Sequence, residues 1–456
     1  MILGAALPLG KSFFSVLTVG PRDVLFLSRI ILACLLPSRN LSAALIASAM
    51  RGQPCHRGNV IRFLRHLPAG VAADWLEALF GNLLSDEPAK GDWLFLLDQT
   101  YCGHQSQRME NTFSTAHRGR RQQHDKKNKR NKKKKQQQSY CHCFVFGLLL
   151  TPSGLRLPVF LSYYTKEYCE LWGLTYRKQT QLAAQLIDKL RVPTGARVVV
   201  VGDTAFDAET ILAACQRRHF RWVVSMNNDR RLNTAMPRPQ VLSLAANCTA
   251  ADYVPVKLTP GQGPFVAQRR ASVCRVGPKA KSRTFQVHQE RCDVFNVGTV
   301  RVFFSTNKAI MAGQKVSVQK VLMTNDLERT IEDVIHIYDL RWQIELFFKE
   351  MKGLLGLADY RFKGFDEVRG WVTGCVLAFL YLEWYRLQMI AQAATKPAEQ
   401  QRWRRQRGHG LALAVQQDVE RQDIAAILEM CQAPDGLARL QELLRAALPK
   451  EYRKSA

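Results

Sequence analysis

"DWLFLLDQT", Asp92 to Thr100, decides how the rest of the chain is read. Five successive apolar side chains, Trp93 to Leu97, leave no polar face, as in a strand buried on both sides of a sheet, and the run ends on the carboxylate of Asp98. A second run of the same kind, "VVVVGD", ends on Asp203. Between them lie "CFVFGLLL" and "LRLPVFLSYY", joined by the turn "TPSG" at Thr151 to Gly154 as in a β-hairpin, and the helical period of "YRKQTQLAAQLIDKL". Helix "DAETILAACQRR" and strand "FRWVVSM" follow Asp203. Strands alternating with helices in this order predict an α/β fold with a mixed sheet and flanking helices.

The 456 residues suffice for two to four domains around at least one large core. Hydrophobic residues make up 47% and charged residues 23%, which is ordinary for a folded protein, but 65 Lys and Arg against 38 Asp and Glu leave a net charge of +27. A charge of that size needs an acidic partner, and nucleic acid is favoured over a membrane surface. The apolar stretch "VLFLSRIILACLL" is interrupted by Arg29 and is too short to span a bilayer. "MILGAALPLGK" lacks the basic start of a signal peptide. Twelve cysteines without a CxxC pair indicate neither a zinc cluster nor a disulfide framework, and fit a reducing cytoplasm. "CHC" at Cys141 to Cys143 reads as core packing inside a strand.

Residues 1–90 read as helical, and the pair of apolar-periodic segments in "RNLSAALIASAMRGQPCHRGNVIRFLRHL" is compatible with a helix-turn-helix that presents Arg57, Arg62 and Arg65 to DNA, or with an ordinary bundle. Residues 91–226 form the first part of the α/β core. They include a basic loop at 118–138 in which Arg118 to Lys135 hold eleven Lys or Arg and one Asp. Such a loop is disordered and self-repelling when free, and clamps phosphates when DNA is near. Short alternating runs such as "YVPVKL" and "VRVFFS" make 227–324 a β-rich insertion. The helical period resumes over 325–365, and 366–456 read as a helical C-terminal region.

Within "YDLRWQIELFFKEMKGLLGL", Tyr338 to Leu357, the residues Tyr338, Arg341, Glu345 and Lys352 are spaced by three, four and seven. On one continuous helix they share a stripe within roughly 60°, opposite Leu340, Ile344, Phe347 and Met351. The plain reading of this segment alone is an amphipathic helix with an Arg–Glu pair and a solvated Lys. Set beside Asp98 and Asp203, Glu345 becomes the third carboxylate that a helix packed across two neighbouring strands would bring to one point. Three carboxylates in contact raise one another's pKa unless a cation intervenes. Oxygen ligands without Cys or His suit Mg²⁺.

This order of Asp98, Asp203 and Glu345, with "DQT", "GDTAFDAE" and an insertion before a glutamate 142 residues after the second aspartate, resembles the DDE transposases of bacterial insertion sequences. The resemblance is closest to the group with a Tyr-Arg-Glu-Lys signature, whose spacing Tyr338, Arg341, Glu345 and Lys352 fit without a gap, and it covers roughly residues 90 to 365. It implies a ribonuclease H-like core that holds two Mg²⁺, or Mn²⁺ in their place, on Asp98, Asp203 and Glu345, about 3.5–4 Å apart. It also implies DNA cleavage followed by strand transfer, without a covalent enzyme intermediate. Arg341 and Lys352 would grip phosphates, and Tyr338 would bond a phosphate or stack on an unpaired base. The partners implied are double-stranded DNA, at element ends and target, and a second copy of the chain on paired ends, with no membrane. Asp207 and Glu209 sit where a helix begins and are expected to cap it or offset its dipole rather than to bind metal.

Some relatives stack a flipped base on a Trp of the insertion during hairpin formation. The insertion here has no Trp, leaving Tyr253, Phe303 or Phe304 as candidate substitutes. Two alternatives share parts of the pattern. Another ribonuclease H-like nuclease would have the acidic cluster, and a DNA-binding protein derived from an inactive transposase would have the charge.

Overall fold

The computed structural model describes residues 7–17, 19–35, 42–49, 55–67, 71–88, 90–104, 108–115, 139–259, 265–270, 282–308, 310 and 316–447. The basic loop 118–138 lies outside these residues, as do "PGQGP" and "ASVCRV" of the insertion.

The strands are β1 (Asp92–His104), β2 (Phe113–Thr115), β3 (Ser139–Leu150), β4 (Arg156–Ser162), β5 (Arg197–Gly202), β6 (Arg221–Ser225), β7 (Val254–Leu258), β8 (Arg283–Val294), β9 (Gly298–Thr306) and β10 (Lys320–Thr324). They form one sheet in the order β2-β3-β1-β5-β6-β10-β9-β8-β7, with β4 also paired to β3. β1, β5 and β6 run parallel, and β3 and β4 pair antiparallel beside β1. This is the ribonuclease H-like mixed sheet. Its central strands are apolar on both faces: Trp93, Leu94, Phe95, Leu96 and Leu97 of β1 have no measurable exposure. The β3–β4 turn uses Gly154 at φ +88, where a Cβ would lie 2.5 Å from the Ala267 carbonyl oxygen, so both conformation and space require glycine there.

The strands of the insertion continue the core's sheet. β10 pairs antiparallel with β6, then β9, β8 and β7 follow, each antiparallel to the last. The cause is local. β6 is buried along Trp222 to Ser225 and has β5 on one side only, so its other row of backbone amides needs a partner.

Helices α1 (Gly10–Ser15), α2 (Pro21–Leu35), α3 (Ala43–Ser48), α4 (Arg57–His66) and α5 (Val71–Leu84) precede the sheet. Within the core lie α6 (Lys166–Trp172), α7 (Gln179–Lys189) and α8 (Glu209–Arg217), and within the insertion α9 (Val266–Arg270). α10 (Ile331–Asp339) and α11 (Trp342–Gly353) follow the insertion, then α12 (Phe365–Gln392), α13 (Pro397–Arg405), α14 (Gly408–Gln432) and α15 (Gly436–Ala447). α12 is buried from Trp371 to Arg386 and packs against α2, α4 and β4. Arg65 of α4 reaches the buried Glu367 of α12 at 2.5 Å while its own side chain stays 59% exposed. Arg29 is turned inward, where it donates to the Ala47 carbonyl at 2.8 Å. Among the described residues no helix is long and apolar enough to cross a membrane. Cys141, His142 and Cys143 are core residues, with 2% exposure or less.

Candidate active site

Asp98 is not the last residue of its strand. β1 continues to His104 while pairing with β3, but its parallel pairing with β5 stops at Leu96, opposite Val201. Two residues beyond that last pair stand Asp98, still within β1, and Asp203, one residue past the end of β5. The two carboxylates therefore stand where the paired strands part. Asp203 caps the turn Thr204–Phe206, its Oδ1 accepting from the Ala205 amide at 2.9 Å.

The segment expected as one helix is two. α10 ends at Asp339 and α11 begins at Trp342, because the amides of Gln343 and Ile344 bond three residues back, to the carbonyls of Leu340 (2.9 Å) and Arg341 (3.2 Å). Such bonds tighten the chain locally. Tyr338 thus belongs to α10, whereas Arg341, Glu345 and Lys352 belong to the start, first turn and last turn of α11. α11 packs on β1.

Arg341 bridges the carboxylates, with Nη2 2.5 Å from Glu345 Oε1 and Nη1 3.9 Å from Asp98 Oδ2. The Arg–Glu pair of the plain reading is therefore present, and it also reaches a strand 243 residues upstream. Lys352 is not merely solvated: its ammonium donates to the Tyr101 carbonyl of β1 at 2.8 Å. Tyr338 is half-buried, its hydroxyl accepting from Lys320 at 3.2 Å.

Burial pushes the Asp98 carboxyl up to about 6, opposed by the Gln99 amide that donates to its Oδ1; Asp203 raises it further, Arg341 lowers it, and Glu345 raises it. The field at Asp98 thus includes both other carboxylates. Their donor chemistry, oxygen alone, fits a hard divalent cation. As arranged, no group of three His, Cys, Asp or Glu side chains among the described residues is gathered to hold a metal ion. The positive charge at Asp98 and Glu345 comes from Arg341 instead.

Asp207 and Glu209 have other partners. Asp207 is buried and accepts from Arg230 (2.7 Å) and the Asn227 amide (2.7 Å), which ties the segment after Asp203 to the segment after β6. Glu209 lies in the first turn of α8 and accepts from Asn296 at 2.9 Å. Tyr253, Phe303 and Phe304 are 6%, 0% and 0% exposed, so none offers a face to a base. Phe303 and Phe304 lie on β9 where both faces of the sheet are covered. Among the described residues, Trp342 is 56% exposed and Tyr101, on β1 beyond Asp98, 37%; it is Trp342 that borders a cleft. With Tyr338, Arg341, Lys320, Arg283 and Phe285 it lines a cleft of about 560 Å³ between α10–α11 and the insertion. No pattern in the local sequence marks Trp342, which stands as the first residue of α11.

No curated protein matches the chain. Residues 176–381, a little under half of the chain, match the family model described as "Transposase DDE domain". The match takes in Asp203, Tyr338, Arg341, Glu345 and Lys352 and begins after Asp98. A domain of this family implies a transposase nuclease with DNA as its partner, and on that match the chain is similar to the DDE transposases.

Proposed function

We propose that this protein is the transposase of an insertion sequence, of the group with the Tyr-Arg-Glu-Lys signature, which binds terminal inverted repeats and catalyses metal-dependent DNA cleavage and strand transfer. The observation that carries the reading is that Asp98 in β1 and Asp203 just past β5 each stand two residues beyond the last β1–β5 pair, with Glu345 joined to Asp98 through Arg341. In this reading Asp98, Asp203 and Glu345 hold two Mg²⁺. When bound, the metal supplies Lewis-acid stabilisation and an activated oxygen nucleophile for in-line displacement at phosphorus. The raised pKa of Asp98 fits a carboxylate that awaits a cation. Arg341, released from Glu345, presents its planar fork to a phosphate beside the scissile bond. Lys352 is anchored to β1 and lies on the same side of α11 as Glu345, so it contacts the backbone as a point charge. Tyr338 and Trp342 border the cleft beside them, where an unpaired base would stack. The N-terminal helices, with Arg57 and Arg62 exposed on α4, are the candidate contact for element ends.

The test is strand transfer by purified protein with Mg²⁺ and duplexes that carry the inverted repeats flanking the gene. Joined products are expected. Nicking without joining would point to another ribonuclease H-like nuclease, and binding without cutting to a DNA-binding derivative. Glu345→Gln is expected to abolish cutting while end binding survives; an unchanged cutting rate refutes the assignment.

A further inference from the structure

Behind the acidic face of α11 lies a second charged cluster, and it is buried. Arg156, the first residue of β4, donates from Nη1 to Glu350 Oε1 of α11 at 3.0 Å, and from Nε and Nη2 to Glu383 Oε1 of α12 at 3.1 and 2.9 Å. Its side chain is 2% exposed and Glu383 is 1% exposed. Glu383 also accepts from Arg386 at 2.6 Å. The guanidinium of Arg156 lies 4.9 Å from the centre of the Phe379 ring. The C-terminal region closes the cage: a Cβ on Gly408 would stand 3.4 Å from Glu350 Cδ, and the buried Arg407 beside it donates to the carbonyls of Arg404 and Gln406. Arg386, Arg156 and Arg407 hold the Glu383 carboxyl down at about 2 against the opposing effect of burial.

We propose that the Arg156–Glu350–Glu383 cluster is the positioning device of α11, fixing the helix's rotation about its own axis so that Glu345 and Arg341 face Asp98. The inference rests on the reading above that Glu345 acts with Asp98 and Asp203. The apolar residues of α11, Ile344, Phe347 and Met351, bury a greasy stripe, and apolar packing is non-directional. A roll of about 20° would keep most of that burial yet move a side-chain tip by about 2 Å at a helix radius of about 5–6 Å. Errors of about 1 Å suffice to damage a reacting geometry. Glu350 lies about 140° around the helix from Glu345, so a hydrogen-bonded ion pair there sets the angle that the apolar stripe leaves soft. A buried ion pair is a poor stabiliser beside apolar residues of equal volume. Orientation accounts for its presence where stability does not.

The test uses the full chain and Mn²⁺ alone, titrated calorimetrically without DNA, on wild type, Glu350→Gln and the double variant Arg156→Met/Glu350→Met. Thermal melts and binding to a labelled random-sequence duplex check folding and the DNA surface. Both variants are expected to fold and to bind the duplex as wild type does, with Mn²⁺ affinity reduced at least tenfold. The conservative Glu350→Gln carries the test if the double variant does not fold. Wild-type Mn²⁺ affinity in a folded variant overturns the proposal. Glu345→Gln, run alongside, separates the two levels: if it too binds Mn²⁺ as tightly as wild type, the assignment of Glu345 as a ligand fails, and the positioning role with it.

Discussion

Asp98 is a carboxylate held where a carboxylate is costly. Its folded-state pKa of about 6 exceeds the ordinary value of 3.8. The folded protein therefore binds this proton more tightly than the unfolded chain does. The resulting loss of stability begins near pH 3.8, grows until about pH 6 and is complete above that. Asp98→Asn is expected to raise metal-free stability above pH 6 by about 1–3 kcal/mol and to leave it nearly unchanged at pH 3.5. Urea unfolding at both pH values checks this; equal midpoints for variant and wild type at pH 7 would refute it. Mg²⁺ should raise the melting temperature of wild type but not of Asp98→Asn. Trp342 carries a separate expectation: with its ring exposed at the cleft, Trp342→Ala should weaken binding to DNA with an unpaired base near the cleavage site by about 1–3 kcal/mol. Fluorescence anisotropy against a fully paired duplex supplies the comparison.

At the scale of elements, the buried runs of β1 and β5 were legible because a strand covered on both faces has no polar alternative, and α10–α11 because their apolar period is strong. The break at Leu340–Arg341 was not. It is a matter of the Arg341, Gln343 and Ile344 amides bonding three residues back rather than four, and no Pro or Gly marks it. Nor did the local sequence disclose that β10 would pair with β6, since strand partners are chosen by tertiary context. A clamp of the same non-local kind ties the start of β1 to the segment before α10: Arg329 donates to both oxygens of Asp92, at 2.7 and 3.0 Å, and to Asp326 at 2.9 Å. Arg329 and Asp92 are each 5% exposed, so Arg329→Met leaves the buried Asp92 with Arg197 alone, at 2.5 Å, and is expected to cost about 1.5–3 kcal/mol. The midpoint of urea unfolding measures it, and a shift under 1 kcal/mol would mean that the clamp is dispensable.

For the whole molecule, the charge of +27 means that the DNA binding proposed above would weaken with salt. Each phosphate neutralised contributes a slope of about −0.9 in log affinity against log salt. Replacing residues 118–138 with a neutral linker of equal length is expected to flatten that slope by about one such step for every phosphate the loop had neutralised. Filter binding over a salt series reads it directly, and an unchanged slope would free that loop from any role in holding the backbone. The ten strands also carry a hazard of their own. Among the described residues, a sheet this wide ends in β7 on one side and in β4, with the short β2, on the other. Pro255 lies within β7 and Pro158 within β4. A ring thus stands where an amide hydrogen would greet an incoming strand. Strand-to-strand fusion between neighbouring copies of this chain is thereby frustrated along β7 and β4.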